Sequence, residues 1–99
     1  NRFTSYKIGS LTKNYKLNFL DLKFNFLTQA DLNNILIDLH SNWESVKRGG
    51  VSINLKNQTN SDGVTMFPSE VGYAKARILE ANGWSIGLTG GIPEEPTIV

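Results

Sequence analysis

The sequence predicts an α/β protein built as a short stack, β-α-β-α-β, with three parallel strands and both helices on one face. Two observations predict it. Leu20-Asp21-Leu22, Ile53-Asn54-Leu55 and Ile86-Gly87-Leu88 each read apolar–polar–apolar, the period of a half-buried strand. They recur at a constant interval, the step from position 20 to 53 being repeated from 53 to 86, and such a fixed period marks stacked repeats. The two intervals each carry a helical stripe, and a crossover of that length joins parallel strands.

Composition bounds the rest. A chain of 99 residues is one small domain, able to bury roughly 60–65% of its unfolded surface. A net charge of +1 gives no field that would select nucleic acid or an anionic membrane. The absence of cysteine excludes disulfides, thiolate metal sites and cysteine nucleophiles, and leaves the compartment open. No apolar run approaches the ~18 residues of a membrane span, and no secretion-signal pattern opens the chain. The chain begins at Asn1 rather than Met, which fits a fragment or a processed product.

Residues 1–16 read as an N-terminal cap or extra strand, with weak alternation around residues 3–8. Residues 17–90 are the repeat domain, and 91–99, with two prolines and two glutamates, a flexible tail. Leu17, Leu20, Leu22, Asn25 and Leu27 fill the spacing L-x-x-L-x-L-x-x-N-x-L, a leucine-rich-repeat pattern. In it the leucines at 20 and 22 point inward, and a buried Asn partners main-chain groups where the chain turns.

Thr28 followed by Asp31 is an acidic variant of the capping box. Leu32, Ile35, Leu36, Leu39 and Trp43 then line one face of a helix over 29–43. Asn33, Asn34, Asp38 and Asn42 fall off that stripe, and Gly49-Gly50 is the expected stop. In the second repeat Val51, Ile53 and Leu55 face inward, and a polar loop spans 57–63. Pro68 and Ser69 start a helix over 69–82 whose expected buried stripe is Val71, Ala74, Ile78 and Ala81. Asn82-Gly83 ends it, and Trp84 enters the third strand. The strands are expected over 18–24, 51–56 and 84–89, with Leu22, Leu36, Leu55, Ile78 and Trp84 deeply buried.

Residues 17–90 resemble leucine-rich-repeat-like modules of bacterial and bacteriophage proteins, some of them tail-associated. The resemblance lies in Leu27-Thr-Gln-Ala-Asp-Leu-Asn-Asn-Ile-Leu-Ile-Asp-Leu39 and in Ala74-Lys-Ala-Arg-Ile-Leu-Glu-Ala-Asn-Gly-Trp84 with the following Ser-Ile-Gly-Leu88. It implies a short solenoid whose usual role is scaffolding or protein binding, without catalytic residues. The sequence departs from the pattern at the N-terminus and in the long 57–67 loop.

Chemistry-bearing residues are few. His40 is the only histidine and has no companions at ligand or triad spacing, so a helix-surface position is expected. Glu94 and Glu95 lie in the tail with nothing to fix their separation. The glycines of Gly87-Leu-Thr-Gly-Gly91 lack the following helix and Lys-Ser/Thr pair of a phosphate loop. Basic residues are scattered among acidic ones. No catalytic residue, metal or cofactor is therefore expected.

What remains is a surface. Alternation places Asp21, Lys23, Ser52, Asn54, Lys56, Ser85 and Thr89 on one polar face of the sheet, the candidate binding residues. The expected function is a non-catalytic structural or protein-binding module, through a partner protein or self-association; the alternative is a glycan-binding module using the same face. Neither nucleic acid nor membrane is expected as a partner.

Overall fold

The computed structural model describes residues 5–95. It contains β1 (Phe19–Asp21), α1 (Gln29–Val46), β2 (Ser52–Asn54), α2 (Glu70–Ala81) and β3 (Ser85–Gly87). The sheet order is β1-β2-β3, with both pairings parallel. Leu20 lies opposite Ile53 and Ile53 opposite Ile86, so the register of the sheet is the period of the sequence. The strands are shorter than expected, three residues each, because the chain turns sharply after each one.

That turn repeats. Phe24, Asn57 and Gly90, which occupy the same place in successive repeats, all take left-handed backbone, with φ of 59°, 62° and 78°. Only Gly adopts this conformation without cost, and a bulky Phe there is strained by about 1 kcal/mol or more. Phe24→Gly is therefore expected to stabilise the fold by about 0.5–1 kcal/mol, read as a raised urea midpoint at unchanged slope.

Inside the turn, amides carry the accounting. Asn25 is buried and its Nδ2 donates to the Leu22 carbonyl at 2.7 Å. Gln58, at the equivalent position of the next repeat, is 0% exposed. Its Nε2 donates to the carbonyls of Leu22 at 2.6 Å, Leu55 at 3.3 Å and Lys56 at 3.3 Å. Its Oε1 accepts from the Leu27 N–H at 3.3 Å. One side chain thus joins the turn of one repeat to that of the next.

The capping box starts α1. Thr28 Oγ1 accepts from the Asp31 N–H at 3.2 Å, and the Asp31 carboxylate accepts from the Thr28 N–H at 3.1 Å. Leu32, Ile35, Leu36 and Leu39 are fully buried. The helix runs beyond the expected 43 and stops at Lys47, in left-handed conformation, rather than at Gly49-Gly50. There the Lys47 N–H donates to the Trp43 carbonyl at 2.6 Å, and its ammonium lies 3.9 Å from the Trp43 ring centroid. That cation–π contact holds the end in place.

Two of the residues expected off the α1 stripe are held by the N-terminal segment. Asp38 and Asn42 are buried, because the N-terminal segment lies along that flank. Asp38 accepts from the Tyr6 hydroxyl and the Gly9 N–H, both at 2.6 Å. Asn42 donates to the carbonyls of Leu11 at 2.8 Å and Asn14 at 3.0 Å, and accepts from Arg48 at 2.7 Å. The segment is turns rather than the expected strand over residues 5–8; residues 3 and 4 lie outside the described residues.

The second helix corrects a stripe. Its buried residues are Gly72, Ala76 and Leu79, whereas Val71 is 57% and Ile78 37% exposed. The face with the smallest side chains, not the largest, meets α1. Leu36, Leu55 and Trp84 are deeply buried as expected, Leu22 only half so, and Ile78 not. Leu55→Ala is expected to cost about 2–5 kcal/mol, while Ile78→Ala stays within about 1 kcal/mol. Equal losses in chemical denaturation of the two variants would overturn this helix phase.

After β3 the described residues, through 95, stay tied to the core; residues 96–99 of the expected tail lie outside the described residues. Ile92 packs against it, and Arg77 donates to the carbonyls of Pro93 at 2.8 Å and Glu94 at 3.1 Å while pairing bidentately with Glu70. Among the described residues, no helix is long and apolar enough to cross a membrane.

Candidate functional site

Parallel register at a fixed offset stacks like positions into rows. On the face away from the helices, Phe19, Ser52 and Ser85 form one row and Asp21, Asn54 and Gly87 the next. Lys23, Lys56 and Thr89 continue the same spacing. Of the seven expected residues the strand register aligns Asp21, Ser52, Asn54 and Ser85, while Lys23, Lys56 and Thr89 follow the strand ends; Ser52, Asn54 and Thr89 are half-buried and the rest exposed.

Several of these side chains have local duties. Asp21 Oδ1 accepts from the Lys23 N–H at 3.1 Å, and Asn54 Oδ1 from the Lys56 N–H at 3.0 Å. Both close the turn that follows a strand. The Lys23 ammonium lies 2.7 Å from Asp21, and its hydrogen bond holds that carboxyl below the ordinary carboxylate range. Thr89 Oγ1 accepts from the Asn57 N–H at 2.7 Å.

Beside β3 the face drops into a cleft of about 560 Å³. Lys56, Ser85 and Thr89 line it, joined by Asn57, Glu80 and the glycines at 87, 90 and 91. Asp21, Lys23, Ser52 and Asn54 lie outside the cleft lining, on the adjoining face. Glu80 Oε2 accepts from the Ile86 N–H at 2.6 Å, at the free edge of the sheet.

Two residues of this surface are absent from the set that the sequence singles out. Phe19 is 61% exposed on the same face as Asp21 and Lys23. The alternation that turns Leu20 and Leu22 inward already turns Phe19 outward. Glu80 reaches the edge from α2, and no local pattern signals that.

His40 is not on the surface as expected: its side chain is 11% exposed, 3.1 Å from Glu44 and packed against Trp43. Burial, then Lys75 of α2, lowers its pKa from the ordinary 6.5; Glu44 opposes and Lys47 adds to the shift. The folded state therefore favours neutral imidazole. Its contribution is complete above about pH 6.5 and is lost as pH falls through the lowered folded value. His40→Gln is expected to flatten the melting temperature between about pH 5 and 7; an unchanged slope would show that other groups set it.

Among the described residues no group of three or more His, Cys, Asp and Glu side chains is placed to hold a metal ion. Three parallel strands, two helices on one face and a polar opposite face define a small α/β protein. Comparison with family models, curated proteins and solved structures found no match.

Proposed function

We propose that this protein is a non-catalytic, leucine-rich-repeat-like module that binds a partner protein through the open face of its sheet, within a larger bacterial or phage assembly. The reading is supported by the unbroken register of the three strands, which lines up rows of side chains as one continuous surface. That surface pairs an exposed aromatic, Phe19, with charged and hydroxyl groups at Lys23, Lys56 and Ser85. Exposed aromatics ringed by polar groups are the usual anchors of protein interfaces.

The test follows from the local duties above. Asp21 and Asn54 cap main-chain groups, so they stay. Phe19→Ala combined with Lys23→Ala, Lys56→Ala and Ser85→Ala is expected to shift stability by no more than about 1 kcal/mol. It is expected to weaken a captured partner by about tenfold or more. A partner held undiminished by this variant would remove the sheet face from the reading.

A glycan ligand is the second reading. The cleft favours it, with an amide, hydroxyls, an ammonium and a carboxylate from Asn57, Ser85, Thr89, Lys56 and Glu80. Sugar binding there depends on Glu80 and not on Phe19. A glycan array probed with Glu80→Gln and with Phe19→Ala separates the two.

A further inference from the structure

Asn82-Gly83, where α2 ends, is the one Asn-Gly pair in the chain, and both residues are exposed. Asn is thermally labile. It is most so before Gly, whose nitrogen reaches the Asn Cγ with no Cβ in the way and on a freely turning backbone. The fold engages both reacting groups. Asn82 Nδ2 donates back to the Ile78 carbonyl at 2.7 Å, which holds its side chain along the preceding turn. The Gly83 N–H, whose nitrogen would attack, donates to the Glu80 carbonyl at 3.3 Å. From the neighbouring repeat, the Gly50 N–H donates to the Gly83 carbonyl at 2.9 Å. Gly49 lies against the same peptide: a Cβ there would be 3.2 Å from the Asn82 carbonyl oxygen and 3.7 Å from Gly83 Cα.

We propose that Asn82 is a deamidation site gated by the last turn of α2, closed in the folded chain and reactive when that turn opens. Helix ends open more readily than cores, and the bond from the Gly83 N–H is the longest of the three. On opening, the Gly83 nitrogen gives its proton to solvent and bonds to Asn82 Cγ. The Cγ–Nδ2 bond breaks, and the amide nitrogen leaves as ammonia with a proton from water. Water then opens the resulting succinimide at either carbonyl. One product is Asp; the other is isoaspartate, whose main chain runs through Cβ and Cγ and is one carbon longer. Each puts a negative charge at the C-terminal end of α2, against the helix dipole, and removes the donor to the Ile78 carbonyl. Isoaspartate also shifts Gly83 against Gly50, so that product holds the gate open. The site is independent of the binding surface proposed above.

Peptide mapping by mass spectrometry at mildly alkaline pH reads the conversion of each Asn to an acid; isomerisation at Asp62-Gly63 leaves the mass unchanged and does not register. In urea-unfolded protein Asn82 is expected to react before every other Asn, at the rate of a free peptide of residues 79–86 in the same urea. In the folded protein it is expected to react at least about tenfold more slowly. Gly49→Ala crowds the closed turn and leaves the reacting pair unaltered. It is expected to raise the folded rate by about threefold or more and to leave the urea rate unchanged. Should Gly49→Ala not fold, the parent decides: its rate in urea below the unfolding transition is expected to rise in step with hydrogen exchange of the Gly83 amide. The isoaspartyl product, isolated by chromatography, is expected to exchange its Gly50 amide at least about threefold faster than the parent. A folded protein that reacts at the peptide rate, another Asn reacting first in urea, a folded rate unmoved by Gly49→Ala, or unchanged exchange at Gly50 in the product would each overturn the proposal.

Discussion

Replacing Gln58 by Leu is expected to remove about 3–5 kcal/mol of stability, a large part of what so small a domain possesses. The substitution conserves volume and adds apolar surface, so area alone would predict no loss. The hydrogen bonds decide otherwise. Gln58 is fully buried, and its amide is the partner of three carbonyls and one N–H drawn from two successive turns. With leucine there, the Leu22 carbonyl keeps Asn25 and the Lys56 carbonyl keeps the Phe24 N–H, while the buried Leu55 carbonyl and Leu27 N–H lose Gln58, at about 1–3 kcal/mol for each that finds no other partner. Gln58→Glu is expected to be no better, because a carboxylate would face three carbonyl oxygens and offer no donor. Urea denaturation monitored by the fluorescence of Trp43 and Trp84 reads both. A loss under about 1 kcal/mol for Gln58→Leu would mean that the turns hold themselves.

Gln58 is also legible in the sequence, by a step beyond the leucine spacing. That spacing identifies Asn25, and one full period further along the chain stands another amide. The recurrence that locates the strands thus locates the second turn as well. The inward strand residues, the parallel order and both crossovers follow from period alone, because burial on one face imposes alternation wherever the core lies. The second helix follows in its bounds but not in its buried stripe. Val71 and Ile78 draw its apolar phase toward a face that is solvent-exposed, while the buried face consists of Gly72, Ala76 and Leu79. Hydrophobic period reports which side chains prefer burial, not how closely two helices approach. Asp38, Asn42 and His40 are misplaced for a related reason: what buries them is a turn-rich segment or a neighbouring helix, whose position no helical period encodes. The polar sheet face is legible as a face, but the cleft is not, since Glu80 enters it from α2.

Gly72→Ala is the sharpest consequence of that close approach. Inside an exposed helix the change would help by about 1 kcal/mol. Here a Cβ would meet Asn33 Oδ1 in overlap, and lie 3.0 Å from Pro68 Cβ and 3.2 Å from Leu36 Cδ1. Asn33 is poorly able to step aside. Its Oδ1 accepts from the N–H groups of Ser69 at 2.9 Å and Gly72 at 3.1 Å, and its Nδ2 donates to Ser69 Oγ at 2.8 Å. Ser69 makes no side-chain cap of its own, so this residue of α1 serves as the N-terminal cap of α2. The added methyl must either push the helices apart or displace that cap, and each costs on the order of 1–3 kcal/mol. A net loss of about 2–3 kcal/mol is expected, against the sign of helix propensity. A double-mutant cycle isolates the cause. Asn33→Ala alone loses the cap, but with Asn33 already gone the further change Gly72→Ala is expected to cost at least about 1 kcal/mol less than it does in the parent. If Gly72→Ala stabilised the parent protein, α2 would not lie against α1 at this distance, and the helix phase assigned above would be wrong.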